Sequence, residues 1–158
     1  MEIKILFVCM GNICRSAAAE AIMKSLVAES DPSVRFYIDS AGILSYHQGE
    51  KADARMRRHA AKRGYDVTSI SRPVSRNDFN EFDLIIGMDD SNIENLHNLV
   101  QTKMHRAKIH KMTEYSQKYD CSHIPDPYYG GDAGFELVID LLEDACEGLL
   151  LSIIESHK

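Results

Sequence analysis

The chain has 158 residues, 44% of them hydrophobic and 27% charged, with a formal net charge of -6. That length fits one compact domain with a sizeable core, and the acidic balance excludes a broadly basic, nucleic-acid-tracking surface. No apolar run is long enough to span a membrane, and the run at residues 3–8 lacks the basic start and cleavage site of a signal peptide.

A cytoplasmic chain is therefore expected, with no membrane or nucleic-acid partner. The four cysteines, Cys9, Cys14, Cys121 and Cys146, show no CxxC pair and no zinc-ligand spacing. Neither a structural disulfide framework nor a metal is expected, and no cofactor.

In chain order, IKILFV at residues 3–8 reads as a buried strand. A turn-like segment follows from Cys9 to Arg15. Beyond it, Ala18, Ala21, Ile22 and Leu26 carry a helical period, and the alanines raise helix propensity. Residues 36–41 read as a second strand. Residues 52–63 read as a charged helix stopped by Gly64; its cations Arg55, Arg57, Arg58, Lys62 and Arg63 read as a solvated face.

Ser75 is expected to cap a short helical turn through Phe79. Residues 83–87 read as a third strand, 91–100 as a helix, and 108–112 as a short fourth strand. Pro125 and Pro127 keep 124–131 irregular. In the last helix, Phe135, Val138, Leu141, Leu142, Ala145, Leu149 and Ile153 share one face. Strands alternating with helices imply right-handed crossovers and a mostly parallel sheet covered on both faces. Ligands of such sheets bind at the carboxyl ends of strands, which points to Cys9.

The segment there is Cys9-Met10-Gly11-Asn12-Ile13-Cys14-Arg15-Ser16. It joins a strand to a helix N-terminus, where free N–H groups and the macrodipole favour an anion. Gly11 and Asn12 tolerate left-handed backbone angles, so the turn can curl into an anion nest. A phosphoryl group fits that nest. Arg15 can grip two of its oxygens. Cys9, beneath the phosphorus, would attack as a thiolate, and Ser16 is placed to hydrogen-bond it. Expelling an alkoxide or phenoxide calls for a general acid; the candidate is Asp126 in PDPYYGG at 125–131.

These residues resemble a known family. VCMGNICRSAAAEAI at 8–22, DSAG at 39–42, FDLIIGMD at 82–89 with Ser91-Asn92, and DPYYGG at 126–131 are similar to the low-molecular-weight protein-tyrosine phosphatases. The resemblance covers nearly the whole chain. It implies an α/β fold, a single domain with a four-stranded parallel sheet flanked by helices (flavodoxin-like). It also implies phosphotyrosine proteins or peptides as substrates and inorganic phosphate as product. Cys9 would be the nucleophile, Arg15 the clamp and Asp126 the acid, with Met10 to Ser16 binding phosphate.

The resemblance further marks Asn12 and Ser40 as loop braces, and Asp89 as an acidic support that also reads as a helix N-cap. Ile13, Tyr46, Tyr128 and Tyr129 fall at the substrate rim. Cys14 matches the second loop cysteine, a redox partner for Cys9 if the two come within disulfide reach. Departures are Ala17 where Pro is usual, Tyr46 where many members have Trp or another aromatic, and no His just before Ser71-Arg72. Rival readings are a protein-arginine phosphatase, an arsenate reductase on the same scaffold, and a non-catalytic phosphate-binding module. Residues 83–99 lack the relay cysteines of the reductase, and Ile13 favours an aromatic ring over phosphoarginine.

Overall fold

The computed structural model describes residues 1–158 except Asp31, Tyr129 and Lys158. The chain runs β1 (Glu2–Cys9), α1 (Arg15–Ser30), β2 (Arg35–Gly42), α2 (Ala54–Lys62), α3 (Asp78–Glu81), β3 (Leu84–Gly87), α4 (Asp90–Leu99), α5 (Lys103–Arg106), β4 (Ile109–Lys111), a 3-10 turn (Met112–Tyr115) and α6 (Gly131–Ser156). The strands form one parallel sheet in the order β2-β1-β3-β4. This is the flavodoxin-like arrangement, and its order reverses between β1 and β3.

Alternation along β1 builds both layers. Ile5, Phe7 and Cys9 face a core shared with α1 and α6. Leu6 and Val8 face a second core with Phe79, Phe82 and Leu96. Each fully buried side chain of this size adds about 1.5–3 kcal/mol, so the two faces together fix which way the Cys9 end of the strand points. α6 supplies Phe135, Val138, Ile139, Leu142 and Leu149, all fully buried. It lies so close to the 3-10 turn that a Cβ at Gly148 would sit 1.9 Å from the Tyr115 carbonyl oxygen.

Several boundaries differ from the sequence expectation. Ser75 does not cap a helix with its side chain. Instead its N–H donates to the Asp78 carboxylate at 2.7 Å, and α3 follows at 78–81. α6 starts at Gly131 and ends at Ser156, beyond the apolar stripe at both ends. α5 was not expected; Thr102 caps it by accepting from the His105 N–H. The basic face of α2 is only partly solvated. Arg63 donates to Glu136, Asp140 and Glu143 of α6.

Candidate active site

β1 ends at Cys9 and α1 begins at Arg15, so residues 10–14 form the connecting loop. Within it Asn12 takes a left-handed angle, φ 59°, which Asn tolerates better than other non-glycine residues. Gly11 is not in that region. Its role is close approach, since a Cβ there would lie 3.0 Å from His47 Cδ2. Gly42 is tighter still: a Cβ would meet the Met10 oxygen at 3.0 Å and Asn12 Cβ at 3.1 Å.

The loop's carbonyls turn outward onto the surrounding protein. Cys9 O accepts from Ile43 N–H, Met10 O from Leu44 N–H, Ile13 O from Asp53 N–H and Cys14 O from Ala18 N–H. Gly11 O accepts from the Ser71 hydroxyl at 3.0 Å. The peptides of the described residues are trans, so each N–H points opposite to the carbonyl of its own peptide plane. The N–H groups of Met10, Gly11, Asn12, Cys14 and Arg15 are therefore turned away from those carbonyl partners, the orientation that an anion nest requires.

A hydrogen-bond chain fixes the thiol. The Arg72 N–H donates to Asn12 Oδ1 at 3.1 Å, which sets the orientation of the amide. Asn12 Nδ2 then donates to Ser16 Oγ at 2.8 Å. Ser16 Oγ, already accepting there, lies 3.0 Å from Cys9 Sγ, within reach to donate its own proton to the sulfur. Cys14 is only 4% exposed. Burial first, then Asp53, Cys9 and Asp126, push its pKa far up, so it keeps its proton.

Arg15 is 3% exposed. Its Nη1 donates to Asp89 Oδ2 at 2.6 Å and to the Ile124 carbonyl at 3.0 Å. With Nη1 engaged by protein, the edge that can clamp a phosphoryl group is Nε–Nη2. Asp89 also caps α4 by accepting from Asn92 N–H at 2.8 Å, so both roles read for it in the sequence coexist. Asp126 stands across the mouth, 3.9 Å from Arg15 Nη2, with its side chain half exposed. Its other oxygen accepts from Tyr128 N–H at 3.0 Å.

Cys9, Arg15, Asp126 and Tyr128 line one crevice of about 360 Å³, together with Met10, Gly11, Ile13, Cys14 and Tyr46. Leu44 and His47 complete it. A larger hollow of about 550 Å³ lies between α2 and residues 65–70. It holds neither a thiol nor an anion nest, so the smaller crevice is the chemical one. Tyr129 lies outside the described residues.

Ser40 is buried beside the loop, but its hydroxyl donates to Glu20 on α1 at 2.6 Å, so it anchors the helix behind the loop. The bracing left open by the missing histidine comes from Ser71 and Arg72. Neither was singled out in the sequence, nor were Leu44, His47, Asp53 or Glu20. Ser71 and Arg72 meet Gly11 and Asn12 from 60 residues away, and Glu20 meets Ser40 from 20 residues away. Among the described residues no cluster of His, Cys, Asp and Glu is arranged to hold a metal ion, and no helix is long and apolar enough to cross a membrane.

The chain is similar in sequence and in structure to known proteins. The family profile described as low molecular weight phosphotyrosine protein phosphatase matches residues 4–158. A protein tyrosine phosphatase from Entamoeba histolytica, solved with Hepes in its active site, is 47% identical. It superposes with a TM-score of 0.94 over 99% of both chains. The low molecular weight phosphotyrosine protein phosphatase of Schizosaccharomyces pombe is 39% identical, covering 96% of this chain and 97% of its own. A Drosophila arginine phosphatase is 34% identical with a TM-score of 0.89, over 96% of this chain and 98% of its own. The chain belongs to the low molecular weight phosphotyrosine protein phosphatase family.

Proposed function

We propose that the chain hydrolyses phosphotyrosine in proteins or peptides by covalent catalysis at Cys9. The observation that carries this is the hydrogen-bonded chain Arg72–Asn12–Ser16–Cys9, which places a hydroxyl able to donate 3.0 Å from the sulfur at the start of the loop. The Cys9 thiolate attacks phosphorus, the P–O bond to the phenol breaks, and Asp126 gives its proton to the leaving oxygen. A phosphocysteine results. Asp126, now ionised, takes a proton from water as its oxygen attacks phosphorus; inorganic phosphate leaves and the thiolate returns. The nest and Arg15 hold the equatorial oxygens throughout, with Asp89 and Ile124 O fixing the guanidinium. No residue here needs a cofactor for this cycle.

Tyr46 and Tyr128, exposed at the mouth, together with Ile13, form walls suited to an aryl ring; Tyr129 is proposed for the same rim. Cys14 is proposed as the partner whose thiol condenses with a Cys9 sulfenic acid, formed by peroxide, to give a disulfide and water. Free thiols at all four cysteines accord with a reducing compartment such as the cytoplasm.

The test is a panel of phosphotyrosine, phosphoserine and phosphoarginine peptides with wild type, Cys9→Ser and Asp126→Asn. Phosphotyrosine turnover should vanish in Cys9→Ser while phosphate still raises its Tm. Asp126→Asn should lose about 10²–10⁴-fold on poor leaving groups. Substantial turnover by Cys9→Ser would overturn the mechanism. The similarity to the Drosophila arginine phosphatase makes phosphoarginine the second reading, and preferential turnover of that peptide would establish it.

A further inference from the structure

We propose that His59 is a positioning residue for the proton-transfer step, acting through the start of α6 on Asp126. The proposal rests on the assignment of Asp126 as general acid. Arg55, His59 and Arg63 are spaced four apart on α2 and so share one face of that helix. Each reaches α6 or the loop that precedes it. Facing them, Asp132, Glu136, Asp140 and Glu143 form a stripe along α6.

Arg63 fastens the middle of that seam, with Nη1 2.7 Å from both Asp140 and Glu143 and Nη2 2.7 Å from Glu136. Arg55, held by Asp53, places its guanidinium 4.8 Å from the Phe135 ring and 5.2 Å from the Tyr128 ring. His59 is the tooth at the helix start. Its side chain is only 5% exposed. Nδ1 meets the Glu136 carboxylate, and Nε2 lies 3.1 Å from Asp132 Oδ1. The ring stacks on Phe135 with centroids 5.6 Å apart and planes within 2°. Each ring nitrogen thus meets one carboxylate, and His59 clasps residues 132 and 136, the first turn and a half of α6, to α2.

That first turn is the seat of the acid loop. Gly130 N–H donates to the Pro127 carbonyl at 2.9 Å. Pro127 packs on Gly134 at ordinary contact distance, a Cβ there lying 3.9 Å from Pro127 Cα. Asp126 directly precedes Pro127. Releasing the first turn of α6 therefore lets Asp126 shift relative to the leaving oxygen, while the loop around Cys9, braced by other segments, stays in place. A displacement of about 1 Å at a reacting group costs on the order of 10²-fold in rate. His59 does not line the crevice, so its effect should appear only in the step that needs the acid.

The experiment compares kcat/KM of wild type, His59→Gln, the double variant Asp132→Asn with Glu136→Gln, and Asp126→Asn on two substrates. Dinitrophenyl phosphate expels a phenolate that needs no proton; phenyl phosphate needs one. His59→Gln should stay within about twofold of wild type on dinitrophenyl phosphate and lose about tenfold or more on phenyl phosphate. Inhibition by inorganic phosphate and alkylation of Cys9 by iodoacetate should not change. The double carboxamide variant keeps the histidine and should show the same selective loss, which covers the case in which His59→Gln fails to fold.

Equal losses on both substrates, or none, with Asp126→Asn behaving selectively, would overturn the His59 role alone. If Asp126→Asn itself shows no leaving-group selectivity, the assignment of the acid falls and the His59 role falls with it.

Discussion

Replacing Asn12 separates the two things that residue does for the loop. It holds a left-handed angle at φ 59°, and its amide relays the orientation of Arg72 N–H to Ser16. Asn12→Ala removes both hydrogen bonds, each contributing about 0.5–1.5 kcal/mol. It also places a plain Cβ in the left-handed region at about 1–2 kcal/mol. The sum is about 2–5 kcal/mol. Asn12→Gly loses the same hydrogen bonds but no longer strains the backbone; its looser unfolded chain costs about 0.4–1 kcal/mol instead. The glycine variant should therefore be the more stable of the two by roughly 0.5–1 kcal/mol. Urea midpoints at matched m-values, with and without saturating phosphate, give the comparison. An alanine variant as stable as the glycine one, or one within about 0.5 kcal/mol of wild type, would refute the reasoning.

Gly148→Ala should destabilise by at least the ~1–3 kcal/mol typical of overpacking, because the new methyl would fall 1.9 Å from the backbone oxygen of Tyr115; thermal denaturation checks it, and an unchanged Tm would count against the close approach. Iodoacetate at neutral pH should label Cys9 and spare Cys14, whose pKa burial and the neighbouring acids push up. Peptide mapping that finds Cys14 labelled at a comparable rate would show the loop to be more open than described.

The parts of the fold visible in the sequence are those encoded locally. The IKILFV run announces β1 because, from Ile5 on, a strand buried on both faces is apolar without a break. The loop was legible because its chemistry lies within eight consecutive residues. α6 was legible in its middle, where the apolar stripe is dense, but its first turn is GDAG, chosen for its contact with Pro127 and the acid loop. Arg55 and Arg63 looked like solvent-facing charges because their partners lie on the far side of the chain, 77 residues away for Arg63 and Asp140. Asp78 accepts from the Ser75 N–H where a Ser75 cap was expected, because a serine before a short helix and a carboxylate after a turn offer the same bond in opposite directions. Ser71 is a small polar residue between two turns; only the fold sets it against Gly11.

The clamp has a consequence for how the protein is made. Arg15 is held by the carbonyl of Ile124, 109 residues later in the chain. At about 5–20 residues per second of synthesis, roughly 5–20 s separate the emergence of these two partners. Throughout that interval the nascent chain carries Cys9 without the arginine locked beside it and without the acid opposite. The nucleophile is thus made early and its acid late, so the enzyme acquires activity only once almost the whole polypeptide has been threaded into place.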